Sequence, residues 1–241
     1  MTPSAAEERH PQKRQALAWG VHALTASGGV IGVATLLAAG AGDLRAAALL
    51  MLAALAIDSV DGTLARAARV REVLPGIDGR RLDDIVDYLN YVVVPAVFMI
   101  AAGGLVHWGF AAAPVLASAF GFAQTDAKTD DHFFLGFPSY WNVVALYLWG
   151  LDVPPAVGTV VVVVFAALVF VPLKYVYPSR MGVLRRTTAG LGALWGLALV
   201  AAVVAPAPAG WRVALLQASL LFPLYYFGVS LWLGGLHRRE P

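Results

Sequence analysis

Asp58, Asp61, Asp83 and Asp87 are the residues of this chain best placed to do chemistry. They follow Ala47–Ile57, a wholly apolar run that would be at home in lipid. A carboxylate at bilayer depth costs about 3 kcal/mol even on lenient scales, so one that persists there has a task. Asp58 and Asp61 are spaced i, i+3, and Asp83 and Asp87 i, i+4, so on helices each pair leaves from one face. Two such helices side by side gather hard oxygen donors. With no sulfur or imidazole beside them, that set suits Mg²⁺ or Mn²⁺ better than softer ions. Paired ions on carboxylates are a recurring solution to phosphoryl transfer, because they neutralise both the attacking and the leaving oxygen.

The elements that carry this block must be membrane helices. Of 241 residues, 59% are hydrophobic and only 13% charged, too little polar surface to cover a soluble globule. Mean hydropathy is +0.71. There is no cysteine, which excludes disulfides and thiolate chemistry, and five scattered histidines argue against a Cys/His zinc site. The fold expected is an all-α, polytopic helical bundle. Apolar stretches cut by polar or Pro/Gly clusters give about eight segments, near 16–40, 44–66, 83–106, 108–124, 140–151, 154–173, 187–206 and 211–236. The fifth is short, and is tilted, half-inserted or fused with the sixth around Asp152–Pro155. Residues 1–15 read as a charged surface segment and not a signal peptide, 16–236 as one transmembrane domain, and 237–241 as a tail.

With eight spans and both termini on one side, only Arg45 and Arg212 of the 17 basic residues fall on the opposite side. The positive-inside rule makes the rich side cytoplasmic. All four aspartates then lie at the cytoplasmic ends of the second and third spans.

The block's other residues have physical reasons of their own. Gly62 and Ala65 let a neighbouring helix or a bulky polar ligand approach the backbone. Arg66 closes the segment at headgroup depth, where a guanidinium can grip a phosphate bidentately. Gly79 precedes the third helix beside Arg80 and Arg81. A plainer reading pairs the aspartates with Arg66, Arg69, Arg80 or Arg81 as structural ion pairs. Asp84 points elsewhere on its helix.

Taken together, the block reads Asp-x-x-Asp-Gly-x-x-Ala-Arg, twelve residues, then Gly-x-x-x-Asp-x-x-x-Asp. It resembles the signature of the CDP-alcohol phosphotransferases, membrane enzymes that move a phosphatidyl or related group from a CDP-linked donor to an alcohol. The long spacer between Arg66 and Gly79 is similar to that of bacterial phosphatidylcholine synthases, as are Phe133–Leu148 (FFLGFPSYWNVVALYL) and Val171–Arg180 (VPLKYVYPSR). The resemblance covers most of the chain. It implies that Asp58, Asp61 and Asp83 are metal ligands and that Asp87 is a ligand, the general base, or both. It also implies that Gly62, Ala65, Arg66 and Gly79 line the CDP pyrophosphate. Related enzymes carry Asn-x-x-Thr near the nucleotide, where this chain has His22 and Thr25, a pair otherwise readable as interfacial capping residues.

The implied function is transfer of the phosphatidyl group from CDP-diacylglycerol to choline, yielding phosphatidylcholine and CMP, with Mn²⁺ or Mg²⁺ as cofactor. Choline is a quaternary ammonium, which aromatic faces attract by about 0.5–2 kcal/mol each. Tyr88, Tyr91, Phe137, Tyr140, Trp141 and Tyr175 lie near the expected boundary, where aromatics also form the ordinary interfacial belt. The run Ser139–Asn142 is the best cage candidate. Asp126, Asp130 and Asp131 can add negative charge or form a solvated loop. Lys174, Arg180, Arg185 and Arg186 make a basic rim for phosphates or anionic headgroups, and Arg180 is the phosphate candidate among them.

Serine, glycerol 3-phosphate or an inositol phosphate are the rival acceptors. A cation transporter is the rival from another class, disfavoured because transporters bind near the midplane within internal repeats. Expected partners are the two substrates and membrane lipid, with a homodimer possible and no nucleic acid. The expected location is the bacterial inner membrane.

Overall fold

The computed structural model describes residues 5–125, 127, 129, 131, 133–205 and 210–236. Eight principal helices occupy these residues. They are α1 (Ala5–Gly40), α2 (Leu44–Ala67), α3 (Gly79–Ala101), α4 (Trp108–Ala123), α5 (Trp141–Gly150), α6 (Pro155–Leu168), α7 (Arg185–Val204) and α8 (Gly210–Leu233). Two short strands, β1 (Phe133–Leu135) and β2 (Lys174–Val176), form an antiparallel pair.

Five helices are long and apolar enough to cross a membrane: α1 from Pro11, α2, α3, α7 and α8. The chain is an integral membrane protein, and many of its outward faces are apolar, with Leu37, Ile85, Leu197 and Trp232 exposed. α4 and α6 are shorter apolar helices. With 10 residues, α5 rises only about 15 Å. It is separate from α6: Asp152 adopts φ 51° and Pro154 and Pro155 follow, so the backbone turns and no fused helix forms.

Local chemistry sets the boundaries. The third helix begins at Gly79, earlier than its apolar run suggests, because the Asp78 carboxylate caps it by accepting from the N–H groups of Arg80 and Arg81. It stops at Ala101, before Gly103 in the left-handed region. Asp43 caps α2 by accepting from the Ala46 N–H at 3.0 Å. α1 starts at Ala5 and runs through the charged N-terminal stretch.

The turns sort to two ends. Arg45 donates to the Ala205 carbonyl at 3.0 Å, bringing the α1–α2 turn to the end of α7. The Arg212 guanidinium lies 5.2 Å from the Trp149 ring, joining the start of α8 to the end of α5. The Val106 N–H donates to Thr159, joining the α3–α4 turn to the start of α6. At the opposite end β1 pairs with β2, and Leu173 bridges to Leu236 just past α8. Trp141, Phe98, Met51, Met99 and Leu199 fill the core between these ends.

Candidate active site

α1, α2 and α3 pack together at the end where the aspartates lie. Small residues make the close packing possible. A Cβ on Gly28 would meet Val86 at 2.8 Å, and one on Gly32 would meet Asn90 and Leu89 at 2.9 Å. Asn90 is buried there, and its Nδ2 donates to the carbonyls of Gly28 and Val86 at 2.9 and 3.1 Å. α3 is thus pinned to α1 one turn past Asp87.

That packing brings Asp58 of α2 against Asp83 and Asp87 of α3. One carboxylate oxygen from each lies within 4.8 Å of the others, and all three side chains are half-buried. An octahedral ion with oxygen ligands at 2.0–2.1 Å holds those oxygens about 3 Å apart when adjacent and about 4.2 Å across. The group is close to that size, and its donors are all hard oxygens. These residues fit a divalent ion of the Mg²⁺ or Mn²⁺ kind.

Asp61 does not join the three. It is 4% exposed, and Thr25 of α1 donates to its Oδ2 at 2.7 Å. Asp58 is held in a matching way from the other side, with the Tyr91 hydroxyl of α3 donating to its Oδ2 at 2.6 Å. Each carboxylate of α2 is therefore gripped by a hydroxyl from a different helix. Second-sphere contacts of this kind fix how a ligand presents itself.

Gly79 lies against His22 of α1. A Cβ at Gly79 would meet His22 Cε1 at 3.0 Å, so glycine leaves room for the ring. His22 is 7% exposed, and its Nε2 has no hydrogen-bond partner among the described residues. A buried polar atom left without a partner needs an explanation, and a ligand is one. Gly62 has Arg66 Nη1 3.4 Å from its Cβ position, and Arg66 Nη2 donates to Thr63 at 2.9 Å. The Arg66 guanidinium thus folds back over Gly62 while staying exposed. Ala65 packs beside Ala18, Val21 and Val70. Two arginines considered as structural partners of the block contact other acids: Arg69 faces Glu72 at 3.9 Å and Arg81 faces Asp78 at 3.7 Å.

The chain is 37% identical to the phosphatidylcholine synthase of Pseudomonas aeruginosa over 221 residues, which cover 90% of this chain and 92% of that one. The chain belongs to the phosphatidylcholine synthase family. The enzyme of the same name from Borreliella burgdorferi is 32% identical over 219 residues, with 89% of this chain and 92% of that one covered. The one from Legionella pneumophila is 46% identical over 168 residues, which take in 68% of this chain but 66% of that protein, a little under two thirds. No family model matches the chain.

Around the carboxylates of this phosphatidylcholine synthase family member stands a wall of tyrosines. The Tyr91 ring lies 6.1 Å from Tyr140, Tyr140 lies 5.9 Å from Tyr226 of α8, and Tyr226 stacks at 6.4 Å on Tyr175 of β2. Trp141, expected at the site, is instead 0% exposed. Its Nε1 donates to Ser118 at 2.8 Å and its ring meets Phe137 edge-on, so it presents no face to a ligand. Tyr140 precedes the helix, with ψ 52°, and Trp141 is its first residue, so the two side chains reach different surroundings. Tyr88 also turns away, donating to the Val115 carbonyl of α4 at 2.9 Å.

The two stretches Phe133–Leu148 and Val171–Arg180 meet in space. β1 lies in the first and β2 in the second, with Phe134 opposite Tyr175. Asp131 beside this pair bonds Lys174 at 2.6 Å. That hydrogen bond holds its carboxyl below the usual carboxylate range. Asp126, Lys128 and Asp130 lie outside the described residues. Arg180 is exposed, with its guanidinium 5.8 Å from the Tyr177 ring.

Three contributors escaped the sequence reading. Asp78 was legible as an aspartate immediately before a helix-starting glycine. Asn90 and Tyr226 gave no signal, because their importance comes from contacts with distant segments.

Proposed function

We propose that this protein transfers the phosphatidyl group from CDP-diacylglycerol to choline, releasing phosphatidylcholine and CMP, and that Mn²⁺ or Mg²⁺ sits on its aspartates. The observation that carries the reading is the meeting of Asp58, Asp83 and Asp87 within 4.8 Å, in a chain whose relatives are phosphatidylcholine synthases. Asp58 and Asp83 serve as ligands, with Asp61 joining from its Thr25-held position. When bound, the cation neutralises pyrophosphate charge and eases departure of CMP. Gly62, Ala65, Arg66 and Gly79 border the pyrophosphate. The otherwise unpartnered Nε2 of His22 offers the nucleoside a hydrogen bond, with Thr25 below it. Arg180 meets a phosphate from the hairpin side.

Asp87 receives the proton of the choline hydroxyl. The freed oxygen forms a bond to the phosphorus bearing diacylglycerol, and the bond from that phosphorus to the CMP oxygen breaks, its electron pair leaving with CMP. The ammonium group lies along Tyr91 and Tyr140, beside the Asp58 carboxylate to which Tyr91 donates.

The bundle crosses the bacterial inner membrane eight times with both termini cytoplasmic and forms one transmembrane domain over 16–236. The contacts that bring Arg45 to the end of α7, Arg212 to the end of α5 and the α3–α4 turn to the start of α6 support that topology. The deciding assay gives purified protein CDP-diacylglycerol and Mn²⁺ with labelled choline, serine or glycerol 3-phosphate. Label should enter lipid from choline alone. Incorporation of serine or glycerol 3-phosphate in its place would reassign the acceptor.

A further inference from the structure

Tyr91 sits where two features of α3 meet. Asp83, Asp87 and Tyr91 are spaced four residues apart. On a uniform helix of 3.6 residues per turn, each such step drifts about 40° around the axis. Between Asp87 and Tyr91 the helix widens into a π turn, Leu89–Val93, in which the Val94 N–H reaches the Leu89 carbonyl. A wider turn holds more residues and offsets the drift, so Tyr91 stays on the stripe of the two aspartates. Single π turns of this sort recur at functional sites. Asn90, pinned to Gly28 of α1, anchors the same turn from its other side.

The consequence is the contact with Asp58. The tyrosine is 6% exposed, and its hydroxyl lies 2.6 Å from Asp58 Oδ2, the length of a charge-assisted O–H···O⁻ bond. Asp58 has two oxygens. With Oδ2 engaged by Tyr91, the carboxylate loses rotational freedom and is held in the orientation that places it with Asp83 and Asp87.

We infer that Tyr91 is a positioning residue of the carboxylate site, its hydroxyl locking Asp58 against Asp83 and Asp87, and that the π turn exists to deliver it. The inference rests on the metal reading proposed above. It assigns Tyr91 a function separate from the contact of its ring with an acceptor.

Tyr91→Phe separates the two, because the ring remains and only the hydroxyl goes. Mn²⁺ binding to the purified full-length chain is titrated by the loss of the free-ion electron paramagnetic resonance signal, alongside steady-state kinetics. Removing a second-sphere partner of a metal ligand typically costs about 10–100-fold in affinity, and Tyr91→Phe should weaken Mn²⁺ by that range while leaving the KM for choline nearly unchanged. Tyr147→Phe, which removes another buried inter-helix hydroxyl, should leave Mn²⁺ affinity unaltered. The double variant Tyr91→Phe/Asp58→Asn should bind no worse than Asp58→Asn alone, because Tyr91 acts through Asp58. Wild-type Mn²⁺ affinity in Tyr91→Phe, or fully multiplicative effects in the double variant, would overturn the inference. Asp83→Asn distinguishes that outcome from failure of the metal reading, since Mn²⁺ bound equally well by Asp83→Asn would remove the metal site itself.

Discussion

Two buried hydroxyl networks hold this bundle together, and they differ in what accepts the proton. Between α5, α7 and α8, Tyr147 shares a hydrogen bond with Ser219 at 2.7 Å and accepts one from Trp195 Nε1 at 2.9 Å, while Thr188 meets Tyr225 at 2.8 Å. Every partner there is neutral, and the groups satisfy one another. Between α1, α2 and α3, Thr25 and Tyr91 instead donate to Asp61 and Asp58. A carboxylate has more acceptor capacity than one hydroxyl can fill. The first network is a fastener between helices, worth about 0.6 kcal/mol per bond in a membrane bundle. In the function proposed above, the second prepares those carboxylates for a ligand.

The sharpest way to break this comparison is to neutralise the charge. Asp58→Asn, Asp61→Asn and Asp83→Asn should each abolish turnover while the chain still elutes as a folded species in detergent, because an amide lacks the charge that offsets a cation. Activity near wild type in any of the three would make that aspartate no more than a fastener. Asp87→Asn should cost about 10²–10⁴ in the rate of choline transfer, the usual contribution of a general base. It should retain CDP-diacylglycerol binding at close to normal Mn²⁺ dependence. Donor binding lost to the same degree as in Asp58→Asn would make Asp87 chiefly a ligand.

Changes in the neutral network should be milder. Tyr147→Phe should keep its activity and lose roughly 0.6 kcal/mol of stability, measured as a small shift in the unfolding midpoint in detergent. The smallest effect is expected at the hairpin. Lys174 holds the Asp131 carboxyl below its usual range, so the pair's stabilisation is present above about pH 4 and fades as pH falls through the lowered value. The Asp131 side chain is 53% exposed, and solvent screening limits the pair to about 1 kcal/mol or less. Asp131→Asn should remove that acid-side slope from a pH titration of stability and leave the neutral-pH rate unchanged.

These two regions were not equally legible in the sequence. The aspartates lie within thirty residues on two adjacent helices, so i, i+3 and i, i+4 spacing alone predicts that each pair shares a face. Their convergence needed only the connection from Ala67 to Gly79, which carries a short helix at Val70–Val73. What spacing did not reveal is the Thr25 hydroxyl that donates to Asp61. The tyrosine wall is assembled from α3, the start of α5, α8 and β2, four segments whose proximity is a property of the whole bundle. An aromatic near the membrane boundary does not announce which way it points, so Trp141 and Tyr88 looked equivalent to Tyr140 and Tyr91. The β1–β2 pair was illegible for the same reason, since three-residue strands nearly forty residues apart leave no periodic pattern. The helices themselves were readable because lipid demands long apolar runs. The break between α5 and α6 was decided by Asp152, Pro154 and Pro155.

In the proposed function, phosphatidyl transfer requires a divalent cation on the carboxylate group. The most direct test of that claim follows CMP release from CDP-diacylglycerol and choline by the purified chain, through EDTA treatment and then Mn²⁺ replacement. The rate should fall to background with chelator and return with Mn²⁺ in the wild type but not in Asp83→Asn. Turnover that continues undiminished in excess EDTA would contradict the claim.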